Sequence, residues 1–316
     1  MAETKSSSNN SISSIHSKVA PHPTAKAFFD ALDKDAISSS NKMSETLKRR
    51  SRSLGWRNRH SQEDYYPVSI ATTGERTQSF SVQQIQRGEV EGTYGTGATV
   101  WPAAMVLIKY LERHPEWVRG KTVVDLGSGT GVTSVAAALL GASNVICTDG
   151  EETVVRLASD NVDRAATELS QSSPADAAET SNDDCARIHD CPVRVQKFWW
   201  GKDSLQQRQQ EEESNDNVLV LVADCVLPKL YPIAPLVQAI DELLPSLQKY
   251  NNNDNDNNVA ILSYEHRYYP EYDPRDKFRE LATERGLHIQ TIPQTDMDPV
   301  YCVDDIEIWH VTRQNT

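Results

Sequence analysis

The stretch from Lys121 to Gly141 constrains this chain more than any other part of it. A short apolar run, Thr122-Val123-Val124-Asp125-Leu126, meets three glycines spaced two apart, Gly127, Gly129 and Gly131. A second apolar run, Val132 to Leu140, follows at once and stops at Gly141. Apolar residues on both faces fit a strand buried inside a parallel sheet, and a glycine after a longer run fits a helix end. The glycines between them supply a tight turn and let a ligand approach the backbone. The segment therefore predicts a βα unit of an α/β fold. It is not a dinucleotide fingerprint, because Val132 stands where the spacing G-x-G-x-x-G needs its last glycine. No Lys-Ser or Lys-Thr follows, so a phosphate-binding loop fails too. Asp125 at the strand end is unsuited to a pyrophosphate and suited to an ammonium or hydroxyl group.

The rest of the chain extends the alternation. Asn144–Asp149, Val193–Phe198, Val218–Ala223 and Val259–Tyr264 read as further strands, and His288–Ile292 and Ile306–Val311 as the last two. Val100–Leu111, Glu151–Leu169, Ile233–Leu247 and Pro274–Glu284 read as helices, the first with Pro102 in a first turn where its missing N–H is harmless. Only the polar stretch 293–305 separates the last two strands, too little for a crossover, so they are expected to pair antiparallel at one edge. Pro67–Ile70 and Gln78–Val82 predict a hairpin ahead of the first helix. Asp149 ends the second strand, 18 residues after Gly131, where a carboxylate can accept hydrogen bonds from both hydroxyls of a ribose.

Composition sets the boundaries. Residues 1–60 hold 11 basic and 5 acidic residues, whereas the whole chain carries a formal charge of -13. The Ser-rich, basic start is read as a disordered tail over 1–64, and 65–316 as one domain. Polar segments near 170–190, 204–217 and 251–258 read as solvated loop insertions. The acidic balance argues against nucleic acid as a partner. No stretch is long and apolar enough for a membrane span, and the first ten residues lack the apolar core of a secretory signal. The chain is expected in the cytoplasm, as a monomer, and the basic run Lys48-Arg49-Arg50-Ser51-Arg52 would also serve nuclear entry. Its five scattered cysteines form no CxxC pair, and no metal site is expected.

With the glycine loop, the acidic strand end and the reversed last strand in place, the chain resembles the class I, seven-strand S-adenosylmethionine-dependent methyltransferases. It is more closely similar to their methyltransferase-like 21 group, which modifies lysines of chaperones, AAA-type ATPases and elongation factors. Gly97-Ala98-Thr99-Val100-Trp101-Pro102, Phe198-Trp199-Trp200-Gly201, Ala223-Asp224-Cys225-Val226 and Ser263-Tyr264-Glu265-His266-Arg267 carry the closer likeness. The resemblance implies a three-layer Rossmann-like fold, with a seven-stranded, mostly parallel sheet and an antiparallel last strand. It implies S-adenosyl-L-methionine as cofactor, held by Trp101, Asp125, Gly127, Ser128, Gly129, Gly131, Asp149, Trp200 and Asp224. It implies a protein substrate that presents a lysine, with Trp200 over the adenine and Trp101 closing the methionine side. One departure stands out: Leu227 occupies the third position after Asp224, where the family shows an aromatic ring. Tyr231 is a candidate to fill that space.

Methyl transfer to an amine needs a neutral nitrogen, in-line approach and exclusion of water. A free lysine titrates near 10.4, so its proton must leave first. Asp224 is assigned to orient the amine, with Tyr264 and Glu265 as acceptors beside it. The alternatives are a small-molecule methyltransferase, a nucleic-acid enzyme, whose Asn/Asp-Pro-Pro-aromatic motif is missing after the fourth strand, and a cofactor-binding protein without turnover, which Leu227 favours. A nicotinamide oxidoreductase is disfavoured by the misplaced third glycine.

Overall fold

Each central strand reads apolar on two faces because helices cover both. The computed structural model describes residues 55–72, 76–85, 95–172, 185–203, 217–244 and 258–313. The chain divides into two units, Met1–Lys48 and Arg49–Thr316. The first lies outside the described residues, and the rest concerns the second.

β1 (Tyr65–Ala71) and β2 (Thr77–Gln83) pair antiparallel as a separate two-stranded sheet. Then follow α1 (Pro102–Arg113), β3 (Thr122–Leu126), α2 (Val132–Leu139), β4 (Asn144–Asp149) and α3 (Glu152–Ser172). β5 (Ala186–Ile188), β6 (Cys191–Lys197), β7 (Val218–Ala223), α4 (Ile233–Leu243), β8 (Val259–Glu265), α5 (Pro274–Glu284), β9 (Leu287–Thr291) and β10 (Ile306–Arg313) complete the described elements. The large sheet runs β5-β6-β4-β3-β7-β8-β10-β9. β6, β4, β3, β7 and β8 are parallel, and β10 is antiparallel to both its neighbours. This is the three-layer α/β arrangement expected from the glycine loop and the alternating pattern.

The pleat divides the core in two. Val123, Leu219, Leu221 and Ile261 face α1 and α2, while Val124, Val220, Val222 and Leu262 face α4 and α5. α2 is small-sided, with Ala136, Ala137 and Ala138 all buried, which lets it lie close to the sheet. α5 starts at Asp273, whose carboxylate accepts from Arg275 N at 2.9 Å, and Pro274 fills its first turn. Chain order reverses between β3 and β7, since β4 and β6 lie to one side and β7 and β8 to the other. Ligands of open α/β sheets sit at the carboxyl ends of strands beside such a switch.

Three expectations need correction and one holds. The sheet has eight strands rather than seven, because Ala186–Ile188 inside the supposed 170–190 loop pairs antiparallel with β6, and α3 runs on to Ser172. The last two strands do pair antiparallel at one sheet edge as expected, with β10 between β8 and the edge strand β9. The helix expected over 233–247 stops at Leu243. Residues 55–64, read as tail, pack onto the domain: Trp56 is buried, its indole N–H donates to Val300 O at 3.0 Å, and its ring meets Tyr301 at 4.7 Å. A single tryptophan among polar neighbours carries no period to reveal this. The basic run 48–52, most of the other two insertions (204–216 and 251–257) and residues 173–184 lie outside the described residues.

Candidate active site

The glycine loop joins β3 to α2, and its three glycines take left-handed φ of 69° at Gly127, 57° at Gly129 and 79° at Gly131. Space is as restrictive as φ at two of them. A Cβ on Gly127 would lie 2.7 Å from Cys225 Sγ and 3.0 Å from the Trp200 ring, and one on Gly129 would lie 2.7 Å from Gly97 O. Ser128 N donates to Thr148 O at 2.9 Å, and Gly129 N to Asp149 Oδ2 at 3.2 Å. The loop is thereby pinned to the end of β4. Asn161, fully buried on α3, adds a third tie by donating to Thr130 O at 3.0 Å.

A cleft opens over this loop at the carboxyl ends of β3, β4, β6 and β7. Gly127, Ser128, Gly129, Asp149, Trp200 and Asp224 all line it, and so does Trp101 from the start of α1, whereas Gly131 does not and lies against Ala158 and Val162 of α3. The Trp101 indole N–H donates to Thr96 O at 2.8 Å, and Thr96 Oγ1 lies 2.5 Å from the Tyr231 hydroxyl. Two loops distant in sequence thus meet across the opening. Tyr231 and Leu227 both line the cleft, so an aromatic ring does stand near the position that Leu227 leaves without one.

Each carboxylate has its own surroundings. Asp125 is wholly buried and does not line the cleft. Its Oδ2 accepts from Thr133 Oγ1 at 2.5 Å and Ser134 Oγ at 2.7 Å, while its Oδ1 has no hydrogen-bond partner. Burial pushes its acid up to about 6, against the pull of those two hydroxyls. Asp149 ends β4 with Oδ1 accepting from Glu151 N at 3.1 Å, and burial raises its acid too. Asp224 follows β7 with a left-handed φ of 58°, unusual for a side-chain-bearing residue and a form of strain that clusters at functional sites. Its side chain is 2% exposed.

Asp224 is not free-standing. Arg267 Nη1 donates to its Oδ1 at 2.7 Å and Nη2 to its Oδ2 at 2.5 Å. Burial raises the Asp224 acid, and the Arg267 bonds and charge pull it back down. Arg267 Nη2 also reaches Glu265 Oε2 at 3.3 Å. Glu265 Oε1 in turn accepts from Arg57 Nη2 at 2.5 Å, and Arg57 Nη1 holds Asp305 at 2.8 and 3.0 Å. Three carboxylates and two guanidinium groups therefore alternate in one chain.

The structure separates Tyr264 and Glu265 from the cleft. Both belong to β8, which runs one residue past the expected end at Tyr264, and neither lines the opening. Tyr264 is 1% exposed, stacks on Trp309 at 4.8 Å and faces the α4–α5 layer. Glu265, on the opposite pleat, is committed to the two arginines. Neither stands as a direct acceptor for an amine in the cleft. Sequence reasoning missed Trp199, which lies against Gly150, where an added Cβ would be 3.1 Å from its ring. It missed Arg267 and Arg57 as well. The adjacent Trp199-Trp200 pair was a visible signal for the first, and Arg267 stands in the run 263–267 that carries the family likeness, but nothing signalled its pairing with Asp224 or the place of Arg57.

The donor set suits an adenosyl sulfonium ligand. Asp149 supplies acceptors at a strand end, Trp199, Trp200 and Phe198 supply apolar faces, and the orphaned Oδ1 of Asp125 lies behind the loop. Among the described residues no group of His, Cys, Asp or Glu is arranged to hold a metal ion, and no helix is long and apolar enough to cross a membrane.

A family model described as lysine methyltransferase matches residues 81–278, from β2 into α5. Electron transfer flavoprotein beta subunit lysine methyltransferase of Rattus norvegicus is 50% identical over 52 residues, 16% of this chain and 20% of that protein. Protein N-lysine methyltransferase METTL21A of Danio rerio is 51% identical over 57 residues, 18% of this chain and 26% of that protein. Protein N-terminal and lysine N-methyltransferase EFM7 of Gibberella zeae is 23% identical over 252 residues, 75% of this chain and 83% of that protein. The chain spans 20% to 34% of the length of several curated relatives that it matches at higher identity.

Proposed function

We infer, because this chain belongs to the lysine methyltransferase family, that it methylates the ε-amine of a lysine in a protein substrate. The cofactor is S-adenosyl-L-methionine. The observation that carries the reading is the pairing of two carboxylates in one cleft. Asp149 sits where β4 ends and Asp224 just after β7, and Trp101, Trp199 and Tyr231 line the same cleft.

When bound, the cofactor supplies an electrophilic methyl group whose C–S electron pair returns to sulfur as the amine lone pair forms the new N–C bond. The chain's own residues do the rest. Asp149 would accept from the ribose hydroxyls, and Trp199 and Trp200 would cover apolar ring surface. The glycine loop keeps side chains out of the methionine path. Asp224 accepts one N–H of the incoming amine, and Trp101, Leu227 and Tyr231 exclude water around it. The amine's proton passes to solvent before transfer, since among the described residues that line the cleft there is no His or Lys to take it.

A second amine class follows from the relative that matches three quarters of this chain, whose name joins N-terminal and lysine methylation. The same cleft chemistry serves an α-amine, which titrates near 8 and loses its proton more easily. One experiment separates these readings. Labelled S-adenosylmethionine is incubated with the purified chain and a methylation-poor lysate, beside Asp149→Ala and Asp224→Ala. Label recovered as methyl-lysine and lost in both variants supports the lysine reading. Label confined to terminal residues replaces it. No protein labelling by a chain that binds S-adenosylhomocysteine in calorimetry sinks both.

A further inference from the structure

Asp224 carries more donors than a substrate-binding carboxylate needs in order to ionise. Its Oδ1 accepts from Arg267 Nη1 at 2.7 Å and from Glu265 N at 3.3 Å, and its Oδ2 accepts from Arg267 Nη2 at 2.5 Å. A carboxylate offers about four lone-pair sites. Three are filled, and the one left is on Oδ2, in a residue that lines the cleft.

Charge matters as much as geometry. A buried carboxylate without a counter-ion favours the charged form of any amine beside it. An ammonium has no lone pair to give, so a bare Asp224 would hold the substrate in its unreactive state. A guanidinium locked onto the same carboxylate cancels that pull and leaves the hydrogen-bond direction intact. Arg267 is built to stay there. Its guanidinium lies 5.6 Å from the Trp101 ring centroid, Nη1 also donates to Glu265 O at 3.2 Å, and Glu265 is itself fixed by Arg57. The planar fork matches both carboxylate oxygens, which a lysine in its place would not.

We propose that Arg267 is a positioning residue for methyl transfer, making Asp224 a charge-compensated acceptor that orients the neutral amine instead of trapping the ammonium. This rests on the amine-methylating reading above. The other ionisable groups facing Asp224 are consistent with it. Glu265 and, behind it, Arg57 belong to the same network, Tyr269 is a nearby phenol, and the adjacent Cys225 thiol is pushed well up by burial and stays neutral. Asp149 acts on Cys225 from the other carboxyl end of the cleft.

The test is the pH dependence of Arg267→Met, which keeps the length and loses the charge, beside Arg267→Lys. Initial rates of tritium transfer from labelled S-adenosylmethionine are followed on the lysate proteins that the wild-type chain labels, from about pH 6.5 to about pH 10. S-adenosylhomocysteine affinity and melting temperature are measured on the same samples. With Arg267→Met the acid limb moves up by about one pH unit, so labelling near neutrality falls about tenfold and recovers at high pH. Arg267→Lys restores part of the neutral rate, and cofactor affinity stays within about twofold, well under the tenfold of 1.4 kcal/mol. A profile that superimposes on wild type, falls equally at every pH or moves to lower pH overturns the proposal. So does an Arg267→Met chain that melts early or loses S-adenosylhomocysteine, since the pair is then structural. If wild type labels nothing while still binding S-adenosylhomocysteine, the activity reading falls, and this one with it.

Discussion

Asn161 gives the sharpest stability prediction. Its carboxamide behaves toward Gln83 as a neighbouring strand would, with Oδ1 accepting from Gln83 N at 2.6 Å and Nδ2 donating to Gln83 O at 3.1 Å. The same Nδ2 donates to Thr130 O in the glycine loop at 3.0 Å. One fully buried side chain therefore joins the β1–β2 hairpin to the loop that floors the cleft. Asn161→Ala strands three backbone groups. Thr130 is 2% exposed and cannot reach water, whereas Gln83 is half-buried and can in part. A stranded buried group costs about 1–3 kcal/mol, so the sum is about 3 kcal/mol. At roughly 2–4 °C per kcal/mol for a domain of this size, the melting temperature falls by roughly 6–12 °C. S-adenosylhomocysteine affinity falls as well, because the loop loses its tie to α3. Glu168→Ala is the control. Glu168 holds Ser81 N and Oγ of the same hairpin at 2.9 Å each, and both of these bonds stay on the hairpin. It lowers the melting temperature and spares the affinity. Thermal melts and titration calorimetry on both variants decide the matter, and equal affinity losses in the two would refute the coupling.

Gly129→Ala forces a side chain onto φ 57° and within 2.7 Å of Gly97 O, at about 3 kcal/mol in all, and calorimetry should show S-adenosylhomocysteine binding weakened roughly 100-fold. Tyr264→Phe removes a buried hydroxyl that has no partner and does not line the cleft, so methyl transfer is unchanged and urea unfolding shows equal or higher stability. Burial depresses the His310 imidazole to about 4. The unfolded chain then takes up a proton below about 6.5 that the folded chain refuses until about 4, so stability is full above that window and is lost as pH falls through it. Urea midpoints at two pH values inside and above the window should show this slope shrink in His310→Gln.

The glycine loop was legible because φ is a local property: three left-handed turns in five residues admit almost nothing but glycine. The strands beside it were legible because burial on both faces writes an unbroken apolar run. Asp149 and Asp224 were legible by adjacency, each standing where such a run stops. Tyr264 and Glu265 failed for a pleat reason. They are the last two residues of β8, so they point to opposite faces and neither meets the cleft. Strand ends shift by one or two residues without any change in composition, and that is enough to misplace a side chain. The pairings of Arg267, Arg57 and Asn161 were invisible for another cause. Their partners lie 43, 208 and 78 residues away in sequence, and no period or turn chemistry spans such gaps.

β10 lies between β8 and β9 and bonds to both, although residues 306–313 are made after either of them. During synthesis, β8 and β9 emerge with no partner on their facing edges and must wait for it. An unpaired strand edge invites pairing with other chains. The cost of a premature stop codon just before residue 306 would thus exceed the loss of one eight-residue strand. It would leave two sticky edges on a nascent half-sheet, and cells carrying such an allele should accumulate aggregated rather than merely inactive product.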